Sequence, residues 1–399
     1  MRASGTLCIP QPMPLTVRLG LFYGAIFIGT GVSSPYLPVW FAHHGLSGSR
    51  IGLILSLPML ARAFTAPLLA VWADSFRLRR TALIVLSLAV TVAYAAMALP
   101  AGFAWWVVVW FAASSMFATL SPLADVIVLA RARRDGFNFG WPRGIGSAGF
   151  VVGNIGMGAL LARGSPELVL VWMVAAVALT ALGARFLLPP DPVHEEGHVS
   201  ALSDRMAGIG GLLRDPVFMT AVVSCGLIQS AHAFYYGFST LAWKRQGIPE
   251  SITGLLWATG VATEIGFMWF MEPLRRRAGP RNLLVIGGAA AVLRWTALAF
   301  SPPLWLLFPL QTLHALSYAA TFLASLQLVE RLSTPRNASA AQAMNSALSG
   351  GVLSGLATMA SGPLFDRYGS SGYLLMSAMS VAGVLGAIRL YAAPRLNPV

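Results

Sequence analysis

Acidic residues and cysteines are what this chain has least of. Its 399 residues include 14 Asp and Glu and 2 cysteines, Cys8 and Cys225. Two cysteines so far apart support neither a disulfide framework nor a cysteine metal site. Charged residues of both signs amount to 10%, too few for the solvated surface of a soluble globular protein. Residues 1–14 have no apolar core of the kind a cleavable signal needs, so the first apolar run is expected to remain as a signal-anchor helix. A metal centre is not expected either. His194-Glu195-Glu196-Gly197-His198 spells HExxH, but it follows Pro189, Pro190 and Pro192, contains a glycine and has no third ligand nearby; a solvated linker is the reading.

What the chain has in abundance is apolar sequence: 56% hydrophobic residues and a mean hydropathy of +0.70. Runs of roughly 20 apolar residues, enough to cross a bilayer, fall at 17–41, 51–73, 81–99, 104–130, 141–163 and 166–188. Six more follow at 216–243, 251–272, 282–300, 304–330, 337–362 and 371–392. The expected fold is all-α, with twelve transmembrane helices in two six-helix bundles. The expected organisation is a cytoplasmic segment at 1–16, a bundle at 17–188, a linker at 189–215, a second bundle at 216–392 and a tail at 393–399.

The net charge of +13 is explained by topology rather than by nucleic acid, because the basic residues sit in short loops between apolar runs. Of the 27 Lys and Arg, nineteen fall in one alternating set of loops and five in the other. The remaining three, Arg62, Arg143 and Arg294, lie inside runs. The positive-inside bias therefore places both termini and the central linker in the cytoplasm and the chain in a cell inner membrane. The halves also echo each other, as transporter repeats do. WADSFRLRR (72–80) matches MEPLRRRAG (271–279) as an acid followed by arginines, and Gly149/Gly153 matches Gly351/Gly355 at the spacing that lets helices approach closely in lipid.

Ionisable residues inside apolar runs are costly enough to be read as functional, each with a named partner. Asp125 and Arg143 flank one basic turn and sit at about the same depth, 6 to 8 Å inside one membrane face, so they are expected to pair. Glu264 and Arg294 lie about 12 and 18 Å from that side and form a second candidate pair, with Arg62 and His314 at comparable depth. Gln229, His232, Gln311, Gln342, Asn345 and Asn154 are further polar groups inside runs, read as interhelical hydrogen bonds. Three deep arginines face two deep acids, leaving one cation unmatched. That excess points to an anionic substrate, a carboxylate gripped by a planar arginine fork. Phe22, Tyr23, Phe27, Tyr36 and Trp40, with Phe234, Tyr235, Tyr236 and Phe238, are candidates for an aromatic wall.

Asp74 with Arg79 and Arg80, at the turn after the second run, resembles the signature loop of the major facilitator superfamily. Ala70 and Arg77 stand where glycines are usual. The resemblance implies a charge latch between the bundles on the cytoplasmic side. The stretch 123–154 resembles the helix four to helix five region of the lactose permease group, with its Phe-x-Phe-Gly turn reading Phe137-Asn138-Phe139-Gly140. That resemblance implies substrate-binding roles for Asp125 and Arg143, and places Phe150 where the group stacks sugar on tryptophan. The C-terminal half is more similar to the phenylpropionate permease family, in the stretches at 254–267, 291–295, 313–319 and 341–351, and nucleoside:proton symporters are related to both. Where lactose permeases have His-x-x-Glu in helix ten, this chain has His314-Ala315-Leu316-Ser317. The proton carrier is therefore expected elsewhere, at Glu264 near Arg294, with Asp125 as the other acid available.

The expectation is a monomeric secondary transporter, not an enzyme, that takes up a small organic carboxylate with protons by alternating access. It needs no cofactor, since the proton gradient drives it. Asp125, Arg143, Arg62, Phe150, His314, Tyr23, Phe27 and Tyr236 are the substrate-site candidates; Glu264, Arg294 and Asp125 the proton-coupling ones; Asp74, Arg79 and Arg80 the gate. The alternative is a nucleoside or sugar proton symporter. Drug efflux fits less well, because Gly149 and Gly153 lack the adjacent proline typical of drug antiporters. A transporter-like sensor would move no solute, and a membrane enzyme would need a nucleophile-base or metal set that the sequence does not show.

Overall fold

The computed structural model describes residues 13–193, 209–334 and 337–396; the HExxH string and Cys8 lie outside them. The first half is six helices: α1 (Leu15–His43), α2 (Gly48–Asp74), α3 (Arg79–Ala96), α4 (Phe103–Asp135), α5 (Gly140–Leu161) and α6 (Glu167–Phe186). In the second half, α7 is broken into Pro216–Ser230 and Ala233–Arg245, followed by α8 (Glu250–Phe270) and α9 (Glu272–Ala299). Next come α10 (Leu304–Leu332), α11 (Ala338–Tyr368, in three segments) and α12 (Tyr373–Arg389). Among the described residues there is no strand beyond an isolated bridge of Leu78 with Pro192.

Local chemistry sets the helix ends. Ser47 caps α2 by accepting from the Arg50 N–H, and Asp215 caps α7 by accepting from the Val217 and Phe218 N–H groups, with Pro216 at the first helical position. Both satisfy orphan donors that a helix start leaves behind. Gly136 ends α4 in the left-handed region at φ 73°, a cost-free cap only for glycine.

Among the described residues, four departures from regular helix lie in the second half, one of them a kink in α9 at Gly279, which takes φ 71°. α7 breaks at Ala231 and His232. α10 winds into a π-helix at Ala315–Ala320, directly after His314, and α11 does so at Ser346–Leu353. Such segments are rare and concentrate at functional sites.

Glycine decides how closely the rods approach. A methyl added at Gly149 would stand 2.7 Å from the Gly24 carbonyl oxygen, and Gly153 abuts the Ile28 carbonyl in the same way, so α1 and α5 pack backbone to backbone. The matching glycines of α11 do something else. Gly351 faces Met59 and Gly355 faces Leu60, both on α2 of the opposite half. The echo in the sequence is real, but equivalent glycines serve an intrahalf contact in one case and a contact between halves in the other.

The halves meet along two main seams, α2 with α11 and α5 with α8, and α1 also packs on the second part of α7. Counting six helices on exchanges one seam for the other, as a pseudo-twofold demands. At the face carrying the α1–α2, α7–α8 and α11–α12 connections, both seams close on glycine. Gly52 lies against Gly362 and Thr358, and Gly254 against Asn154 and Gly158. The local sequences repeat too: Ser49-Arg50-Ile51-Gly52-Leu53 and Ser251-Ile252-Thr253-Gly254-Leu255. At this face Asp366 of α11 also accepts hydrogen bonds from the Gly48 N–H at 2.7 Å, the Ser49 N–H at 2.8 Å and the Ser49 hydroxyl at 2.7 Å. An acid of one half thus caps a helix of the other.

At the terminus-side face the α2/α11 seam is parted. In its first half α2 buries Ile51, Ile54, Ser56 and Pro58, whereas Arg62, Ala63 and Phe64, then Ala70, Val71 and Trp72, are all exposed. Consecutive exposed residues go right round a helix, so this part of α2 leans on nothing from α11. The α5/α8 seam stays in touch there, with the Trp269 ring against Gly144.

Candidate substrate and proton site

The first cluster forms where α1, α4 and α5 converge. Arg143 Nη1 donates to Asp125 Oδ1 at 2.7 Å and to the Ser121 hydroxyl at 2.9 Å, and the Tyr23 hydroxyl donates to the same carboxylate oxygen. The guanidinium carbon lies 5.3 Å from the Tyr23 ring centroid and 5.0 Å from that of Phe27, within cation–π range. Both Arg143 hydrogen bonds leave from one nitrogen and its side chain is 38% exposed, so part of the fork remains available to a ligand. Phe150 and Asn154 share the Arg143 face of α5, at helical spacings of two turns and three. Phe150 is half-buried beneath Gly31, and its carbonyl accepts from Asn154.

The second cluster is built by α7 to α10 around a fully buried guanidinium. Arg294 Nη2 donates to Gln311 Oε1 at 2.6 Å; Nη1 reaches His314 Nδ1 at 3.0 Å and the Ser317 hydroxyl at 3.4 Å. The rings of Tyr235 and Trp295 lie 4.5 and 4.7 Å from its carbon. Arg294 Nε and Gln311 Nε2 are buried with no hydrogen-bond partner among the described residues. The expected Glu264–Arg294 pair is not made. Glu264 meets His314 instead, Oε2 to Nε2 at 3.4 Å, and the imidazole stands between acid and arginine. Sequence depth places residues along a helix axis but not around it, and His314 occupies the intervening angle.

Arg62 differs from both. It is exposed on α2, one turn past the point where Met59 and Leu60 still touch α11, and makes no hydrogen bond or ion pair among the described residues. Of the three deep arginines, Arg143 alone meets an acid directly; Arg294 is held by neutral acceptors, and Arg62 is the exposed one. The Tyr318 hydroxyl lies within electrostatic reach of Arg62 and Arg143 from one half and of Glu264 from the other.

Most of the aromatic wall turns out to be core. Tyr36 donates to the Asn154 carbonyl and Trp40 to Glu167; Phe22, Phe234, Tyr235 and Phe238 are wholly or almost wholly buried. Tyr23, also buried, holds Asp125 rather than lining the space. Tyr236 stacks on Trp257 and His232 at centroid distances of 5.8 Å each. Tyr318, half-buried and stacked on His314 at 5.2 Å, is a cavity aromatic that sequence reading missed; the π-helix after His314 brings it there.

Asp74, Arg79 and Arg80 lie together at the terminus side and, among the described residues, make no hydrogen bond or ion pair with the second half. Arg79 donates to the Val193 carbonyl at 2.8 Å and Arg80 to that of Leu188 at 3.3 Å. Asp191, which sequence reading passed over, grips Arg131 with both carboxylate oxygens, and its carbonyl accepts from the Arg79 N–H. Among the described residues no group of three His, Cys, Asp or Glu is placed to hold a metal.

Two helical halves, sealed at one face and parted at the other around charges set in apolar sequence, are the construction of a membrane transporter. The chain matches the MFS_1 like family over residues 16–375 and belongs to it, within the major facilitator superfamily. It is 29% identical over 311 residues to the probable 3-phenylpropionic acid transporter of Escherichia coli (strain K12), covering 78% of this chain and 81% of that one. It is also 29% identical over 371 residues to the maltose permease of Geobacillus stearothermophilus, covering 92% of each. The crystal structure of the nucleoside transporter NupG superposes with a TM-score of 0.83 at 17% identity, over 95% of this chain and 99% of that one; at that identity the likeness is one of fold. The chain is thus a multi-pass membrane transporter, not an enzyme.

Proposed function

We propose that this transporter takes up a small organic carboxylate together with a proton, by alternating access across the inner membrane. The observation that carries the substrate class is Arg62. Arg143 is matched by Asp125 and the buried Arg294 is held by Gln311, His314 and Ser317, whereas Arg62 has no counter-ion among the described residues, in a space bordered by lipid-embedded helices. An uncompensated guanidinium there is costly, and an anionic ligand removes the cost. The resemblance to a probable 3-phenylpropionic acid transporter supports an aromatic acid, and Tyr318 and Phe27 would supply ring contacts. The arginine excess at the terminus side supports that face being cytoplasmic, which makes the parted seam an inward opening. Asp125 is already committed to Arg143 and Tyr23, so Glu264, 20% exposed and bonded to no arginine among the described residues, is the proton carrier we assign. No cofactor is required, and the chain would work as a monomer.

A second reading, a sugar or nucleoside symporter, is favoured by the maltose permease relative and by the Asp125–Arg143–Tyr23 cluster, which suits hydroxyl groups. Thermal stabilisation of purified protein separates the two, because a ligand that binds only the folded state raises the melting temperature. The panel is 3-phenylpropionate, octanoate, maltose and uridine, with Arg62→Gln alongside the wild type. Stabilisation by a carboxylate that is lost in Arg62→Gln is the expected result. Stabilisation by maltose or uridine alone would transfer the assignment to the second reading.

A further inference from the structure

The hydrogen-bond geometry around His314 decides where a proton can sit. Arg294 carries donors only and stays charged. Its 3.0 Å contact with His314 Nδ1 therefore requires a lone pair on Nδ1. A neutral imidazole with a bare Nδ1 has its hydrogen on Nε2, which is the atom facing Glu264 Oε2 at 3.4 Å. The rest of the chain of bonds agrees. His232 Nδ1 faces the Gln229 carbonyl at 3.0 Å, so it carries a hydrogen, and His232 Nε2 accepts from the Ser317 hydroxyl at 3.2 Å. That leaves the Ser317 oxygen to accept from Arg294. Every hydrogen bond in the row from Arg294 through Ser317 and His232 to Gln229 then runs from a donor to an acceptor, with only Arg294 Nε left over among the described residues.

We infer that Arg294 locks His314 as the neutral Nε2–H tautomer, so that His314 positions Glu264 and never itself carries the transported proton. This rests on the proposed symport and assigns its coupling. Protonating His314 would put a hydrogen on Nδ1 against the Arg294 guanidinium, a like-charge contact; its other titratable neighbours among the described residues are His232, Tyr235, Tyr318 and, at Nε2, Glu264. Of these only Glu264 can be negative, and it faces Nε2, so the donor-to-donor contact at Nδ1 remains. Glu264, with Tyr236 and Tyr318 in range, has no such obstacle. When it takes a proton, one oxygen keeps accepting from His314 Nε2–H. The other becomes a hydroxyl donor directed to the cavity, where a substrate carboxylate accepts it. When the substrate leaves, the proton is released from the same oxygen. Ionised Glu264 repels a carboxylate and protonated Glu264 binds it, so one proton accompanies each monoanion.

Glutamine is the informative replacement. Its carbonyl can accept from Arg294 and its amide N–H can donate to Glu264, but it cannot be protonated. Nitrogen-15 NMR of histidine-labelled wild type, with the His314 signals assigned by their loss in His314→Gln, reads the tautomer without any ligand. The expected spectrum is a bare Nδ1 and a protonated Nε2 from about pH 5.5 to 8. Calorimetric titration with 3-phenylpropionate in buffers of different ionisation enthalpy then counts protons. One per ligand is expected in wild type and in His314→Gln, whatever happens to affinity, and none in Glu264→Gln. A His314 that titrates or shows Nδ1–H, or a His314→Gln that takes up no proton while Glu264→Gln still does, overturns the inference. If wild type binds no 3-phenylpropionate, the substrate reading fails and the NMR result still judges the tautomer.

Discussion

Arg143 and Arg294 show how differently two deep arginines can be held. Arg143 has a carboxylate partner and part of its fork open; Arg294 is sealed among neutral acceptors and ring faces. Their neighbours should respond accordingly to substitution. Tyr23→Phe removes one donor to Asp125 and nothing else, and should cost about 1 kcal/mol of stability with a weaker carboxylate response in the thermal-shift assay. Gln311→Leu strips a buried guanidinium of its closest acceptor, and should cost about 2 to 3 kcal/mol, visible as a larger fall in melting temperature. Equal losses from the two variants would mean that Arg294 is less dependent on its acceptors than its burial implies. The Asp125–Arg143 pair was legible in the sequence because one short turn fixes both depth and direction. The Glu264–His314–Arg294 row was only half legible: the three residues stood out as charged or polar in apolar runs, but their order in space depends on helix rotation and on the π-helix that follows His314. Asp191 left no signal at all, since an acid in a proline-rich linker looks solvated until the fold brings Arg131 to it.

At the scale of elements, the far-face seal depends on glycines that let α2 meet α11 and α8 meet α5. A Cβ on Gly362 would fall 2.9 Å from the Gly48 carbonyl carbon, and one on Gly52 3.1 Å from Gly362 Cα; these atoms are backbone and cannot swing aside. Gly362→Leu should therefore prevent closure. With a cysteine in place of Leu241, which lines a recess of about 370 Å³ at that face, labelling by a membrane-impermeant maleimide should rise several-fold. Asp366→Ala should do the same more weakly, since losing a helix cap is worth about 1 kcal/mol, or roughly a five-fold shift in population. Unchanged labelling in both would show that the seal does not depend on these contacts. Most of the apolar runs could be read from hydropathy to within a few residues of the helices, because length and composition suffice for a lipid-spanning rod; α9 starts well before its run, with a charged segment ahead of the Gly279 kink. Helix breaks were less legible: nothing around Ala231 and His232 marks an interruption, while Ser349-Gly350-Gly351 in α11 weakens the helix without specifying a π-turn. The Ser-x-x-Gly-Leu repeat of α2 and α8 was present in the sequence, but its meaning appears only where both glycines meet the opposite half.

For the molecule as a whole, symmetry and charge divide the work. The α2/α11 and α5/α8 seams are exchanged by the relation between halves, yet the terminus side has parted along the first and not the second, and Arg62 stands at the fork. Binding a carboxylate there would draw α2 toward the second half, while protonation of Glu264 removes the repulsion between its carboxylate and that of the substrate. Coupling between proton and substrate then needs no wire between distant sites, since both act in one space. The most direct test is uptake of radiolabelled 3-phenylpropionate into proteoliposomes under an imposed inward proton gradient, comparing wild type with Glu264→Gln. Gradient-driven accumulation by wild type is expected, with the variant retaining exchange of labelled for unlabelled substrate but losing accumulation. Accumulation by Glu264→Gln equal to that of wild type would contradict the account.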